Sequence, residues 1–260
     1  MFSVYSSAVD LEAYFARIGW QGARTATADV LAELLAHHMR AIPFENFDVL
    51  LGRKPRLDLE ALEAKLVGAK RGGYCFEHAT LFAAVLRELG FAVRTHSARV
   101  IMFTPRENSP RTHMFLTVGE QMLDPGFGGL ASRVPVPLDG TAVHGYRLTQ
   151  IGHERMLMLD DKPLWVSTFE DDLPIDFEMA NHYTATHPAS HFTRAIMLRA
   201  FTRDGEARVR NRDVTLIHND EQQTFQLADR AALRELVATH FGFDLPELET
   251  IRVPMIPEWA

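Results

Sequence analysis

RGGYCFEHATLFAAVLRELGFAVRTHSARVIMF, residues Arg71 to Phe103, contains the point at which the chain changes its periodicity. From Cys75 onward Leu81, Phe82, Val85, Leu86 and Leu89 recur at helical spacing and Gly90 follows, which predicts a helix that begins at the cysteine and stops at the glycine. Beyond Gly90 the apolar residues alternate, so Val93 to Phe103 reads as a strand.

Upstream of this junction the pattern stays helical. Val9 to Ile18 has Asp10 near its start and Gly19 past its end. Thr27 to Arg40 puts Val30, Leu31, Leu34 and Leu35 on one face before Pro43 stops it, and a third helix is expected from Leu57 to Val67. Downstream, period-two segments recur at His113 to Val118, Gln121 to Leu123, His144 to Thr149, Arg155 to Asp160 and Pro163 to Phe169, which predicts a largely antiparallel sheet or barrel. Glu170 to Phe192 is acidic and then loop-like, a candidate connection. Strands are expected around Ala195 to Thr202 and Val214 to His218, and a helix from Asp229 to Phe241. The class is α+β, divided into a helical bundle over 1–90, a β-barrel region over 91–190 and a smaller α/β region over 191–260.

Composition narrows the function. With 260 residues, 47% of them hydrophobic, the chain can bury a substantial core. Its 27 basic residues are dispersed among 34 acidic ones for a net charge of -7, so nucleic acid is not an expected partner. No apolar run approaches the roughly 18 to 20 residues of a membrane span, and Met1 to Trp20 lacks a basic start and apolar stretch, so a cytoplasmic location is expected. One cysteine forms no internal disulfide or multi-cysteine zinc site, and the 12 histidines contain no HExxH pattern, so no structural metal is expected.

A lone cysteine is most often a buried apolar residue. Cys75 differs because it opens a helix behind Gly72 and Gly73, where unsatisfied N–H groups and the helix dipole favour a thiolate and an oxyanion. Such a nucleophile needs a base. His78 lies three residues on along the same helix, with nothing obvious to hold its ring. His113 has a partner: in RTHMFLTVGEQMLDPGFGG a two-residue turn at Gly119 and Glu120 sets Val118 against Gln121 and Leu116 against Leu123. Phe115 then faces Asp124, and His113 becomes the diagonal, same-face neighbour of that aspartate. Cys75 as nucleophile, His113 as base and Asp124 as its orienter form a triad for acyl transfer.

Four segments, IPFENFDVL (Ile42 to Leu50), RGGYCFE (Arg71 to Glu77), THM (Thr112 to Met114) and DPGFGG (Asp124 to Gly129), with a weaker THPASHF (Thr186 to Phe192), resemble the arylamine N-acetyltransferase family over most of the chain. By that resemblance Cys75, His113 and Asp124 correspond to the family's catalytic residues, and Phe127 to the aromatic residue beside its acceptor cleft. Ala79 and Pro125 stand where the family more often has asparagine and valine, and the hairpin after His113 is shorter than in many members. The fold implied is a helical N-terminal region, an antiparallel β-barrel and a C-terminal α/β lid around a cysteine-protease-like core. The activity implied is acetyl transfer from acetyl-coenzyme A to an arylamine, arylhydroxylamine or arylhydrazine, by a ping-pong route through an acetyl-cysteine. The same residues leave three alternatives: an amide synthase acting on a carrier-bound acyl chain, a thiol hydrolase or transglutaminase-type enzyme, and a non-catalytic binding protein. Oligomeric state is left open.

Overall fold

The computed structural model describes residues 9–202, 205–219 and 221–260. Asp10 accepts from the Ala13 N–H to open α1 (Leu11–Ile18), and Gly19 closes it at φ 67°. Thr27 caps α2 (Ala28–Ala41), which buries the four expected residues. A four-residue helix not foreseen, α3 (Phe47–Leu50), follows Asn46. The third expected helix is divided: α4 (Leu59–Leu62) widens into a π-helical turn over Glu63–Gly68. α5 (Cys75–Glu88) begins at the expected residue and sinks Leu81, Phe82, Val85 and Leu86 into the helical core, each worth roughly 1.5–3 kcal/mol of burial.

The six alternating segments, with an unforeseen two-residue strand β4 (Val136–Pro137), form one antiparallel sheet of β1 (Val93–Val100), β2 (Arg111–Val118), β3 (Gln121–Leu123), β4, β5 (Tyr146–Ile151), β6 (Glu154–Leu159) and β7 (Lys162–Ser167), in the order β4-β3-β2-β1-β7-β6-β5. Its edges β4 and β5 lie against each other, so the sheet curls into a nearly closed barrel. Alternation along β2 separates two cores. Phe115 points into the barrel with Ala98, Met122, Leu157, Leu164 and Trp165, whereas Met114 and Leu116 join the helices.

One expectation fails. Glu170 to Phe192 is not a loop-like connection, because Pro174–Thr186 forms a 13-residue helix, α6. Its buried positions Phe177, Asn181, Thr184 and Ala185 recur at helical spacing, yet two of them are polar, while Ile175 and Met179 are exposed. The usual contrast between an apolar inner and a polar outer face is blurred, which hides the helix in the sequence.

The C-terminal part is a second antiparallel sheet of β8 (Met197–Phe201), β9 (Gly205–Arg210), β10 (Asp213–His218) and β11 (Glu221–Gln226), backed by α7 (Arg230–His240). β9 and β11 escape the sequence reading; every side chain of EQQTFQ in β11 is exposed, so that strand has no apolar face to betray it. Leu198, Ala200, Ala207, Val209 and Val214 pack against Leu233 and Val237 to form a third core. The class is α+β with the helical region, barrel-like sheet and C-terminal α/β unit in the expected order. Among the described residues no helix is long and apolar enough to cross a membrane.

Candidate active site

The position of Cys75 is built by two segments far apart in sequence. The Gly73 N–H donates to the Pro43 carbonyl (3.2 Å) and the Glu45 N–H to the Gly73 carbonyl (2.9 Å), a short parallel bridge. A side chain at position 72 would place its Cβ 2.1 Å from the Pro43 oxygen, so only glycine fits. Arg71 then reaches Glu45 (2.6 Å) and Asp48 (2.8 Å), and Lys65 reaches Asp48 and Glu77 (2.7 Å each). Burial, opposed by Lys65, lifts Glu77 to a pKa of about 7. The other Glu77 oxygen accepts the Tyr74 N–H (3.1 Å), fixing the residue from which α5 springs. IPFENFDVL, recognised in the sequence only through resemblance, is thus the cradle of the Gly72–Gly73 loop.

Cys75 is buried, with its thiol 3.8 Å from the Thr112 carbonyl. The hairpin pairs in the expected register, Leu116 with Leu123 and Val118 with Gln121, and Gly119 takes φ 53°. It delivers His113 to Asp124: the ring Nε2–H donates to Oδ2 at 2.9 Å. Trp165, on β7, donates its indole N–H to the same oxygen at 3.0 Å. Burial opposes charge on His113, but the Asp124 carboxylate and the Cys75 side chain outweigh it and raise the imidazole to about 10. The thiol therefore faces a ring that is protonated at neutral pH and fixed in orientation.

After Asp124 the chain doubles back over Cys75. A Cβ on Gly126 would lie 2.6 Å from the Cys75 Cα, so the loop touches the helix start only because position 126 is bare. The Phe127 ring lies 4.8 Å from that of His113, centroid to centroid. The four residues predicted to form the site, Cys75, His113, Asp124 and Phe127, are thereby brought together. Asp124 Oδ1 is buried without a partner among the described residues, and Pro125 beside it has no N–H to offer.

His78 is not at this site. It ends a buried chain in which the Tyr14 hydroxyl donates to His38 Nδ1 (2.7 Å), His38 Nε2–H to His78 Nδ1 (2.9 Å) and His78 Nε2–H to the Pro43 carbonyl (3.2 Å). That direction is the one satisfying every member. Burial drives His38 well below its ordinary pKa and His78 to about 4. Trp165 went unselected from the sequence; its signal was an inward-facing indole in the strand KPLWVS, which needs a buried acceptor. A cleft of about 440 Å³ between α5, β1 and the start of α6 is lined by none of the four site residues.

An N-acetyltransferase family model matches residues 27–250. The arylamine N-acetyltransferase of Escherichia coli strain K12 is 38% identical over 252 residues, covering 91% of this chain and 90% of that protein. The arylamine N-acetyltransferase / N-hydroxyarylamine O-acetyltransferase of Salmonella typhimurium is 37% identical over 254 residues, covering 92% and 90%. Among solved structures, that of Mycobacterium marinum arylamine N-acetyltransferase in complex with CoA aligns with a TM-score of 0.85 and 32% identity, covering 92% of this chain and 94% of that one.

Proposed function

The chain belongs to the arylamine N-acetyltransferase family and is an acyltransferase with acetyl-coenzyme A as its donor, and from that premise we propose that it works by a ping-pong mechanism through an acetyl group on Cys75. The observation that carries this reading is the buried line from Asp124 through His113 to Cys75, with an imidazole raised to about 10.

In the first half-reaction the Cys75 sulfur attacks the thioester carbon. The first-turn N–H groups of α5, which have no intrahelical acceptor, are suited to receive the oxyanion. Collapse expels the coenzyme thiolate, to which His113 gives its proton. In the second half-reaction the amine nitrogen attacks the acetyl carbon of the acyl-enzyme, neutral His113 takes the amine proton, and the Cys75 thiolate leaves. Asp124 holds Nε2 throughout, so that the other ring nitrogen serves both transfers. An aromatic amine suits this site because its low basicity leaves it unprotonated at neutral pH, and Phe127 offers its ring a face beside His113. The acceptors are arylamines, arylhydroxylamines and arylhydrazines.

Initial rates with acetyl-coenzyme A and an arylamine varied together test the order of events. Parallel double-reciprocal lines are expected. Intersecting lines would mean direct transfer within a ternary complex and would exclude the acyl-enzyme.

A further inference from the structure

The second sheet has two unlike faces. Alternation along β8 and β9 sends Leu198, Ala200, Ala207 and Val209 into the C-terminal core. The opposite face carries Arg199, Phe201, Glu206 and Arg208, and the register sets Arg199 across from Arg208 and Phe201 across from Glu206. Arg199 is committed: Nε donates to Glu206 (2.7 Å) and Nη1 to the Gly128 carbonyl (2.6 Å), fastening the loop that covers Cys75. Arg208 leans on the same Glu206, with its side chain partly in solvent. Arg133, exposed just beyond that loop, stands 4.8 Å from the Phe201 ring centroid, and Arg199 stands 4.0 Å from the same ring. Arg133 has no acidic partner among the described residues.

Two guanidinium groups, those of Arg133 and Arg199, therefore flank the Phe201 ring, and Arg199 and Arg208 share the carboxylate of Glu206, in a chain whose overall charge is -7. The patch adjoins the site. Gly128, whose carbonyl accepts from Arg199, lies two residues beyond the Gly126 contact with Cys75, and the Tyr146 hydroxyl ties the same loop by donating to the Leu130 carbonyl (3.1 Å). Nothing in the acyl-transfer chemistry uses these charges. Forked guanidinium groups match phosphate oxygens in geometry and charge, and an aromatic face between them suits an apolar arm.

We propose that Arg133 and Arg208 bind the phosphate groups of the acyl donor, while Arg199 holds the loop along which the donor's arm runs past Phe201 to Cys75. This rests on a coenzyme A thioester being the donor. The test compares acetyl-coenzyme A with S-acetyl-N-acetylcysteamine, the same thioester without phosphates, at a fixed arylamine concentration, in the wild type, Arg133→Ala, Arg208→Gln and the double variant. The ratio of kcat/KM for the two donors is expected to fall roughly tenfold for each arginine lost, mostly through KM. In the wild type the ratio should also fall as salt is raised. Turnover of the phosphate-free donor reports that each variant is folded, and Arg133, exposed on a loop, supplies a readout independent of the sheet. A ratio in the double variant within twofold of the wild type overturns the proposal and leaves the donor assignment standing. A wild type that acetylates no better from acetyl-coenzyme A than from the phosphate-free thioester also overturns it. A wild type that takes acetyl from neither removes the donor assignment with it.

Discussion

Asp124 accepts two hydrogen bonds through a single oxygen, one from His113 and one from Trp165, and this decides which ring nitrogen of His113 is left for the thiol. An amide in its place could turn its NH2 toward His113 and favour the wrong tautomer while changing little in shape. Asp124→Asn is accordingly expected to lower kcat by on the order of a thousandfold or more with the fold retained. Steady-state rates beside a thermal melt check this, and a loss below about tenfold would remove Asp124 from the mechanism. At this scale the sequence is informative wherever chemistry demands a residue type. A cysteine opening a helix, a histidine and an aspartate on one hairpin face are each legible from spacing. Trp165 was not, because a tryptophan in a strand fits the core equally well and only the folded barrel shows its N–H aimed at a carboxylate.

Elements were legible in proportion to the contrast between their faces. The β2–β3 hairpin is specified by its turn, since a slip of one residue would carry Leu116 and Leu123 to the wrong side, and its observed register is the expected one. α6 was hidden by Asn181 and Thr184 on its buried face, which serve instead of apolar residues because each finds a partner: Asn181 donates to the Pro55 carbonyl (2.8 Å) and Thr184 to the Ala180 carbonyl (2.8 Å). The chain of Tyr14, His38 and His78 binds α1, α2 and α5 together through neutral rings, with a consequence for acid stability. An unfolded histidine takes up a proton below about pH 6.5, whereas burial holds native His78 neutral until about 4. Stability contributed by this group is thus complete above the unfolded value and is lost as pH falls toward 4. Urea unfolding of His78→Asn between pH 4.5 and 6.5 should give a stability slope shallower than that of the wild type by up to ~1.4 kcal/mol per pH unit. Equal slopes would mean that His78 is protonated in the native state.

At the scale of the molecule, the helical core and the C-terminal core are joined by a short stretch belonging to none of the predicted elements. Phe44 bridges to Gly73 on one side and to Arg199 on the other. Asn46 donates to the carbonyls of Phe192 (2.9 Å) and Ala195 (2.8 Å) and accepts the Met197 N–H (2.9 Å), pinning the start of the second sheet beside the helix that carries Cys75. The succession of helices, sheet and mixed region was readable from periodicity. The joint was not, because contacts between residues about 150 positions apart leave no trace in local pattern. The Cys75 thiol, the His113 ring and the Phe127 ring lie together beside the loop that Arg199 of the second sheet fastens. The central claim is that Cys75 carries the acetyl group between donor and acceptor. The most direct measurement is the intact mass of the protein after brief mixing with acetyl-coenzyme A and no acceptor, beside Cys75→Ala. A gain of one acetyl in the wild type alone, removed when an arylamine is added, is the expected result. An unmodified wild type, or equal modification of Cys75→Ala, would contradict it.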